Sequence, residues 1–291
     1  MLLLSPSRSS ATWGPQINKI EYRGMKLLNG SELAGFIKER HARQVRSLRG
    51  QGITPKLAIV QTKDDPVINT YVRLKCKYGS DIGAEVELHK VKQTEIAQLL
   101  NKLNIDKSVH GIIVQLPLKD PSKTDAIVNL VTPEKDVDAL GEKSKFEPAT
   151  PMAILWLLSG YNIDLAGKKI LLIGRGKLVG APLEKILKSS GHDVEVIDRE
   201  LPDVAGHTKQ ADIIITATGS PAILYPDMIK QGAIVVDAGV ASEEGKTVGD
   251  LAPEVYERDD LTITPEKGGV GPLTVSALFE NVIRAAQNAK D

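Results

Sequence analysis

Short apolar runs recur along this chain, and each is followed by a polar turn and then a stretch with helical spacing. Residues 56–61, 111–115, 169–173, 213–216 and 233–237 are rich in Ile, Val and Leu and are only four to six residues long. Runs of that length and composition read as strands buried on both faces. Residues 85–91 alternate polar and apolar, as a half-exposed strand does. Between them, residues 31–48, 67–78, 94–103 and 124–130 carry apolar stripes of helical period. Ser31 is placed to cap the first of these helices. Strand–helix alternation of this kind predicts an α/β fold built on parallel sheets.

The pattern divides into two units around a cleft. The first, an α/β catalytic domain, is expected over residues 25–145. The second, a Rossmann-like dinucleotide-binding domain, is expected over 146–273. It opens with a helix for which Thr150 reads as N-cap and Pro151 as the first helical position. That helix is apolar nearly all round, so it is buried, and Gly160 ends it. Strands at 169–173, 194–197, 213–216, 233–237 and 261–263 follow. A last helix, 275–289, has apolar residues at 275, 278, 279, 282 and 283, and the segment 274–291 is expected to complete the first domain. Residues 1–24 have no period and read as a disordered extension before a folded domain that starts near Met25. Their Ser-rich, acid-poor composition also suits an organelle transit sequence.

Charge and cysteine content exclude several classes of function. Lys and Arg total 37, Asp and Glu also total 37. The balance gives no overall attraction to nucleic acid or to acidic membranes. Cys76 is the single cysteine, so no intrachain disulfide forms, and no Cys/His spacing suits zinc. The chemistry is expected to be metal-free, in a reducing cytoplasm. No apolar run approaches the roughly 20 residues that span a bilayer.

Two sets of residues suggest chemistry. Gly174-Arg175-Gly176-Lys177-Leu178-Val179-Gly180 lies between a buried strand and a helix. Glycines there let the backbone approach a pyrophosphate at a helix N-terminus, although a G-x-G-x-x-x-G spacing also suits an ordinary tight turn. The next strand ends in Asp198-Arg199. An Asp there favours NAD and an Arg favours NADP. With Arg175 nearby, two arginines tip the reading toward NADP, with NAD possible. Gly219 and Val240, after the next two strands, are assigned to the same cofactor site. In the first unit, Tyr71 and Lys75 are four apart on a helix and share a face. Gln115 ends a buried strand, and Asp138 lies in a loop. Each has a bland reading: packing, solvation, strand capping or turn formation. Together they suit proton transfer to and from a heterocycle, because a desolvated lysine has a lowered pKa.

Five motifs in order carry a resemblance: Tyr71-Val-Arg-Leu-Lys75, Gly111-Ile-Ile-Val-Gln-Leu-Pro-Leu118, Pro133-Glu-Lys-Asp-Val-Asp138, the turn at 174–182, and Gly268-Gly-Val-Gly-Pro-Leu-Thr274. From about residue 25 to the C-terminus the chain resembles the bifunctional methylenetetrahydrofolate dehydrogenase/cyclohydrolase family. The resemblance implies oxidation of 5,10-methylenetetrahydrofolate with NADP, then hydrolysis of the methenyl product to 10-formyltetrahydrofolate. It implies Lys75 and Gln115 as the hydrolytic pair, Tyr71 lining the pterin pocket and Asp138 binding the pterin. It also implies Val114, Leu116, Gly269, Gly271, Pro272 and Thr274 along the folate. A cytoplasmic homodimer serving purine biosynthesis, binding neither nucleic acid nor membrane, completes the expectation. The chain departs from the family pattern at Val67-Ile68, where Ala-Ser is common, and at Gly176, where Ser is common. Ala139 stands for Gly, Asp198-Arg199 stand for His-Ser, and Glu266-Lys267 stand for Val-Pro. The Ile68 departure keeps open a dehydrogenase with weak or no cyclohydrolase activity. A non-catalytic folate- or nucleotide-binding relative and a different nicotinamide dehydrogenase also stay open at the level of sequence.

Overall fold

The computed structural model describes residues 21–22, 25–198, 203–239, 241–243 and 246–289. The elements run β1 (Glu21–Tyr22), β2 (Met25–Leu27), α1 (Gly30–Arg49), β3 (Lys56–Gln61), α2 (Pro66–Ile82), β4 (Glu85–Lys90), α3 (Ile96–Ile105), β5 (Gly111–Val114), α4 (Thr124–Val128) and α5 (Ala149–Gly160). They continue with β6 (Ile170–Ile173), α6 (Gly180–Ser189), β7 (Val194–Ile197), α7 (Val204–Thr208), β8 (Ile213–Thr216), β9 (Ile234–Asp237), β10 (Ala241–Glu243), β11 (Lys246–Val248), β12 (Thr262–Ile263) and α8 (Val270–Asn288).

Strand β3 is the centre of a three-stranded parallel sheet of order β4-β3-β5. Successive side chains of a strand point to opposite faces, and both faces here are covered. Ala58 and Val60 join Leu100 of α3 and Ile127 of α4 in one core. Leu57 and Ile59 join Val72 of α2 and Phe279 and Val282 of α8 in another. This double burial is why β3 and β5 are continuous apolar runs. The second sheet has the order β1-β2-β12-β9-β8-β6-β7 and is parallel except for the β1–β2 pair. Leu172 packs with α5 and α6, while Leu171 faces Leu251 and Val255 on the other side.

Helices α1, α5 and α8 pack together between the sheets. A buried polar chain fixes α1 to α2 and α8. His41 places Nδ1 3.0 Å from the Tyr78 hydroxyl and Nε2 2.9 Å from Glu280 Oε2. Burial holds the His41 imidazole below its ordinary range and pushes the Tyr78 phenol up to about 12.

Several sequence expectations need correction. The extension expected through residue 24 ends sooner: Glu21–Tyr22 pair antiparallel with Met25–Lys26. Strand β2 then joins the larger sheet, Thr262 opposite Lys26, although it precedes the first unit in the chain. Asn29, not Ser31, caps α1 by accepting from the Glu32 N–H at 3.2 Å, while the Ser31 N–H donates to Gly268 O. Helix α5 starts at Ala149 after Pro148, because the Met152 N–H already donates to Pro148 O. Thr150 is therefore helical rather than its cap. Helix α8 starts at Val270, five residues before the expected 275, since Pro272 lies in the first turn, where its missing N–H costs nothing. A β10–β11 hairpin follows β9, where the sequence pattern predicts no strand.

Ala139 has φ +56°, a left-handed conformation. Asp136 forces the bend: its carboxylate accepts from the N–H groups of Leu140 (3.3 Å) and Gly141 (2.9 Å). A Cβ in that region costs roughly 1–2 kcal/mol. Ala139→Gly is therefore expected to raise unfolding free energy by about 1 kcal/mol. Urea denaturation of the pair of proteins measures it.

Candidate active site

The C-terminal edge of the small sheet, where α/β proteins bind ligands, brings Lys75, Gln115 and Asp138 together. Asp65 sets the phase of α2: its carboxylate accepts from the Val67 N–H at 3.0 Å and the Ile68 N–H at 3.3 Å, and Pro66 opens the helix. Ile68 and Val72 then point into the core, and Tyr71 and Lys75 stand half-buried one turn apart. Gln115 follows β5 directly and its N–H donates to Val60 O. The Gln115 side-chain amide donates to Leu116 O at 3.0 Å, which turns Oε1 toward α2. Lys75 Nζ donates to that Oε1 at 2.8 Å. Val114 is buried and Leu116 half-buried beside it, before the cis Leu116–Pro117 bond.

Asp138 arrives from the other side. The segment before it lies along β5: the Ile112 N–H donates to Lys135 O, with a parallel bridge between Ile112 and Asp136. Burial lowers the Lys75 pKa, and the Asp138 charge opposes that shift. Burial raises the Asp138 carboxyl, and Lys75 opposes it. An ammonium that releases its proton readily, held by an amide and faced by a carboxyl, is suited to proton transfer. The Ile68 side chain belongs to the core cluster at 3% exposure.

The glycine turn stands at the C-terminal edge of the larger sheet. Gly174 has φ +97°, and a Cβ there would lie 2.8 Å from Ala217 O. A Cβ on Gly180 would lie 2.1 Å from Gly174 O. Gly176 has nothing within 4 Å, so open space lies over that backbone. This is a cradle that a side chain would fill and that a dinucleotide phosphate fits. Lys177 of the turn pairs with Asp125 of α4, so the turn faces the first unit. Arg175 donates from Nε to Glu184 Oε2 at 2.7 Å, and Glu184 also takes Lys188 at 2.8 Å. Arg199 and Val240 lie outside the described residues.

Two carboxylates outside the residues expected from sequence shape this side. Asp250 accepts from the Thr218 N–H (2.7 Å) and the Ser220 N–H (3.0 Å), so it brackets Gly219, which has φ +64°. Asp237 accepts from the N–H groups of Gly239 (2.9 Å), Asp250 (2.9 Å) and Leu251 (3.3 Å). Burial pushes its carboxyl up to about 6. An acidic residue ending an apolar strand was the available signal for Asp237. The Gly-Gly-Val-Gly-Pro motif leads into α8: Gly269 is buried, Gly271 is exposed, and Pro272 and Thr274 are half-buried in the first turns. Gly30 touches this motif so closely that its Cβ would lie 1.8 Å from Gly269 O. Among the described residues, no helix is long and apolar enough to cross a membrane, and no cluster of His, Cys, Asp or Glu could hold a metal.

Comparison with known proteins matches both units. The family model for the tetrahydrofolate dehydrogenase/cyclohydrolase catalytic domain matches residues 28–138, and that for the NAD(P)-binding domain of the same family matches 148–290. The bifunctional protein FolD of Campylobacter jejuni is 39% identical over 279 residues, 91% of this chain and 99% of that one. The crystal structure of a Campylobacter jejuni FolD, a methylenetetrahydrofolate dehydrogenase/cyclohydrolase, superposes with a TM-score of 0.85 at 38% identity, covering 91% of this chain and 99% of that one. The Trypanosoma brucei enzyme, complexed with NADP and an inhibitor, also gives 0.85, at 28% identity over 91% and 98% of the two chains.

Proposed function

The chain belongs to the tetrahydrofolate dehydrogenase/cyclohydrolase family, and from that premise we propose how its residues divide the work. The enzyme oxidises 5,10-methylenetetrahydrofolate to the methenyl cation with NADP and hydrolyses the cation to 10-formyltetrahydrofolate. In our reading, residues 25–145 with 274–291 hold the folate, and 146–273 hold the dinucleotide. The 2.8 Å contact of Lys75 Nζ with Gln115 Oε1, opposite Asp138, carries the proposal.

When bound, NADP would supply the hydride acceptor, and Gly174, Gly176, Gly180 and the loop at Gly219 would hold it, with Arg175, Arg199 and Val240 assigned to the same site. Much of the rate of hydride transfer comes from holding two flat rings in register. Tyr71 and Leu116 form walls for the pterin and benzoyl groups, with the backbone at Val114 and with Gly269, Gly271, Pro272 and Thr274 along the folate; the Val114 side chain itself is buried in the core with Val60 and Leu100. Asp138 accepts hydrogen bonds from the pterin N–H groups. For hydrolysis, Lys75 takes the proton of the attacking water as the C–O bond forms. Gln115 keeps the amine aimed at that water. As the bond from carbon to N5 breaks, N5 gains a proton and the new hydroxyl loses one. The net yield is the formyl product and one released proton. The hydrolytic half is tested by mixing the protein with 5,10-methenyltetrahydrofolate and no cofactor. Methenyl absorbance is expected to fall faster than in buffer; an unchanged decay contradicts it.

A second reading of the cofactor rests on Asp198 at the end of β7 and on the Glu184 tether of Arg175. An acidic group beside the ribose would favour the free diol of NAD over the phosphate of NADP. The ratio of kcat/KM for the two cofactors decides between them. Balanced charge and a single cysteine support a cytoplasmic setting. The family resemblance supports a homodimer that supplies formyl groups for purine biosynthesis.

A further inference from the structure

Asn281 lies within α8 with its side chain fully buried. Its amide nitrogen donates twice, to Val137 O and to Glu147 O, each at 2.9 Å. Its Oδ1 has no donor among the described residues. A buried acceptor without a donor is costly, and an apolar residue of the same size would be spared that cost. What the amide contributes is therefore its two donated bonds, not its bulk. Two bonds from one planar group also fix its orientation.

The first bond falls on the residue before Asp138. Val137 is fully buried, and its N–H donates to Lys135 O at 2.9 Å. With Asn281 on its carbonyl, the stretch that leads into Asp138 is held on both sides of Val137. Space there is tight: a Cβ on Gly111 of β5 would meet Val137 Cγ2 at 2.9 Å and Val282 Cγ2 at 3.2 Å. Beyond Asp138, the Ala139 N–H donates to Asp136 O at 3.1 Å. The second bond falls on Glu147, where the connector between the two units reaches α5. That connector folds back on itself: Ser144 Oγ donates to Asp136 O at 2.9 Å, and the Lys145 N–H to Pro133 O at 3.2 Å. One amide thus ties both ends of the loop that carries Asp138. Helix α8 also carries Thr274, seven residues before Asn281. Seven residues are about two turns, so the two share a face, roughly 10 Å apart along the axis.

Resting on the folate reading above, we propose that Asn281 is a positioning residue for substrate binding. Through the Val137 carbonyl it sets the Asp138 carboxyl at a fixed place relative to Thr274 and the start of α8. It touches neither substrate nor cofactor and acts through Asp138.

The test is a double-mutant cycle of Asn281→Leu and Asp138→Asn, read as kcat and KM for hydrolysis of 5,10-methenyltetrahydrofolate without cofactor. Asn281→Leu is expected to raise KM about tenfold, the scale of one weakened hydrogen bond to a charged group. Its kcat and the pH limb of Lys75 should match the wild type, since only binding is lost. In the Asp138→Asn background the same substitution should change KM little, because its route to the substrate is already gone. A merely structural role raises KM by the same factor in both backgrounds, and that result overturns the proposal. So does an unchanged KM in Asn281→Leu while Asp138→Asn raises it, which leaves the folate reading standing. An Asp138→Asn variant with wild-type KM overturns both the pterin role of Asp138 and the tether built on it. Should Asn281→Leu not fold, Asn281→Ser, with one donor at most on a shorter stem, takes its place in the same cycle. Ile283→Val, which trims the same core and leaves both bonds in place, should keep the wild-type KM; a tenfold rise there overturns the proposal. Calorimetric titration with the methenyl folate reads the cycle as dissociation constants. A wild type that binds this folate without hydrolysing it therefore overturns the hydrolytic reading alone, and the cycle still decides the tether.

Discussion

Lys75→Met is expected to lower methenyltetrahydrofolate hydrolysis by at least about a hundredfold, the usual range for losing a positioned proton-transfer group. Met fills nearly the volume of the lysine stem, and removing a half-buried ammonium also removes its desolvation cost. The fold should therefore survive, and NADP reduction should stay within several-fold of wild type. The pH profile separates a proton-transfer role from a packing role. Burial lowers the Lys75 pKa, so wild-type hydrolysis rises with pH along a limb that lies below the ordinary lysine range. The variant loses that limb. Asp138 responds as well. Its pKa is raised by burial and is held down only by Lys75, so in Lys75→Met it climbs further. A carboxyl with a raised folded pKa is stabilising while protonated. The variant's stability should accordingly fall as pH rises from the ordinary carboxylate range through the raised value. Thermal melts across pH, beside stopped-flow decay of the methenyl chromophore, measure both effects.

Gly180→Ala is expected to do the reverse: weaken cofactor binding and so slow cofactor reduction, and spare hydrolysis. The added Cβ would lie 2.1 Å from Gly174 O and 2.9 Å from the Arg175 Cα, both backbone atoms that cannot swing aside. The turn between β6 and α6 has to open, and overpacking of this kind costs about 1–3 kcal/mol. That cost falls on the cradle, so the affinity for NADP should drop by about tenfold to a hundredfold. Gly176→Ser is the control, since nothing lies within 4 Å of that position; it should bind NADP at least as well as wild type. Fluorescence titration of reduced cofactor reads all three proteins. Lys75→Met and Gly180→Ala together form a double dissociation that a generally destabilised protein does not produce.

The parts of the fold that the sequence announced are those where one residue type answers one local demand. Apolar runs at β3, β5, β6, β8 and β9 are buried on both faces, so the burial is written in the run itself. The four-residue spacing of Tyr71 and Lys75 placed them on one face because a helix allows little else. What the sequence did not announce depends on partners far along the chain. Nothing in Met25–Leu27 says that its neighbour is Thr262–Ile263 in the other sheet. The start of α8 was hidden because a Gly-Pro-containing stretch reads as loop, although Pro is tolerated in a first turn. Asp237 and Asp250 look like ordinary acids until the fold sets five N–H groups around them. Ile68, read as a lost hydroxyl beside the lysine, is a core residue packed with Val72 and Phe279.

The central claim is that one chain performs both steps. It is tested most directly by mixing the protein with 5,10-methylenetetrahydrofolate and NADP and following reduced cofactor and methenyl absorbance in the same cuvette. The account predicts a full rise in reduced cofactor, with methenyl that appears only transiently and decays faster than it does in buffer alone. Methenyl that accumulates in step with reduced cofactor and then decays at the buffer rate would contradict it.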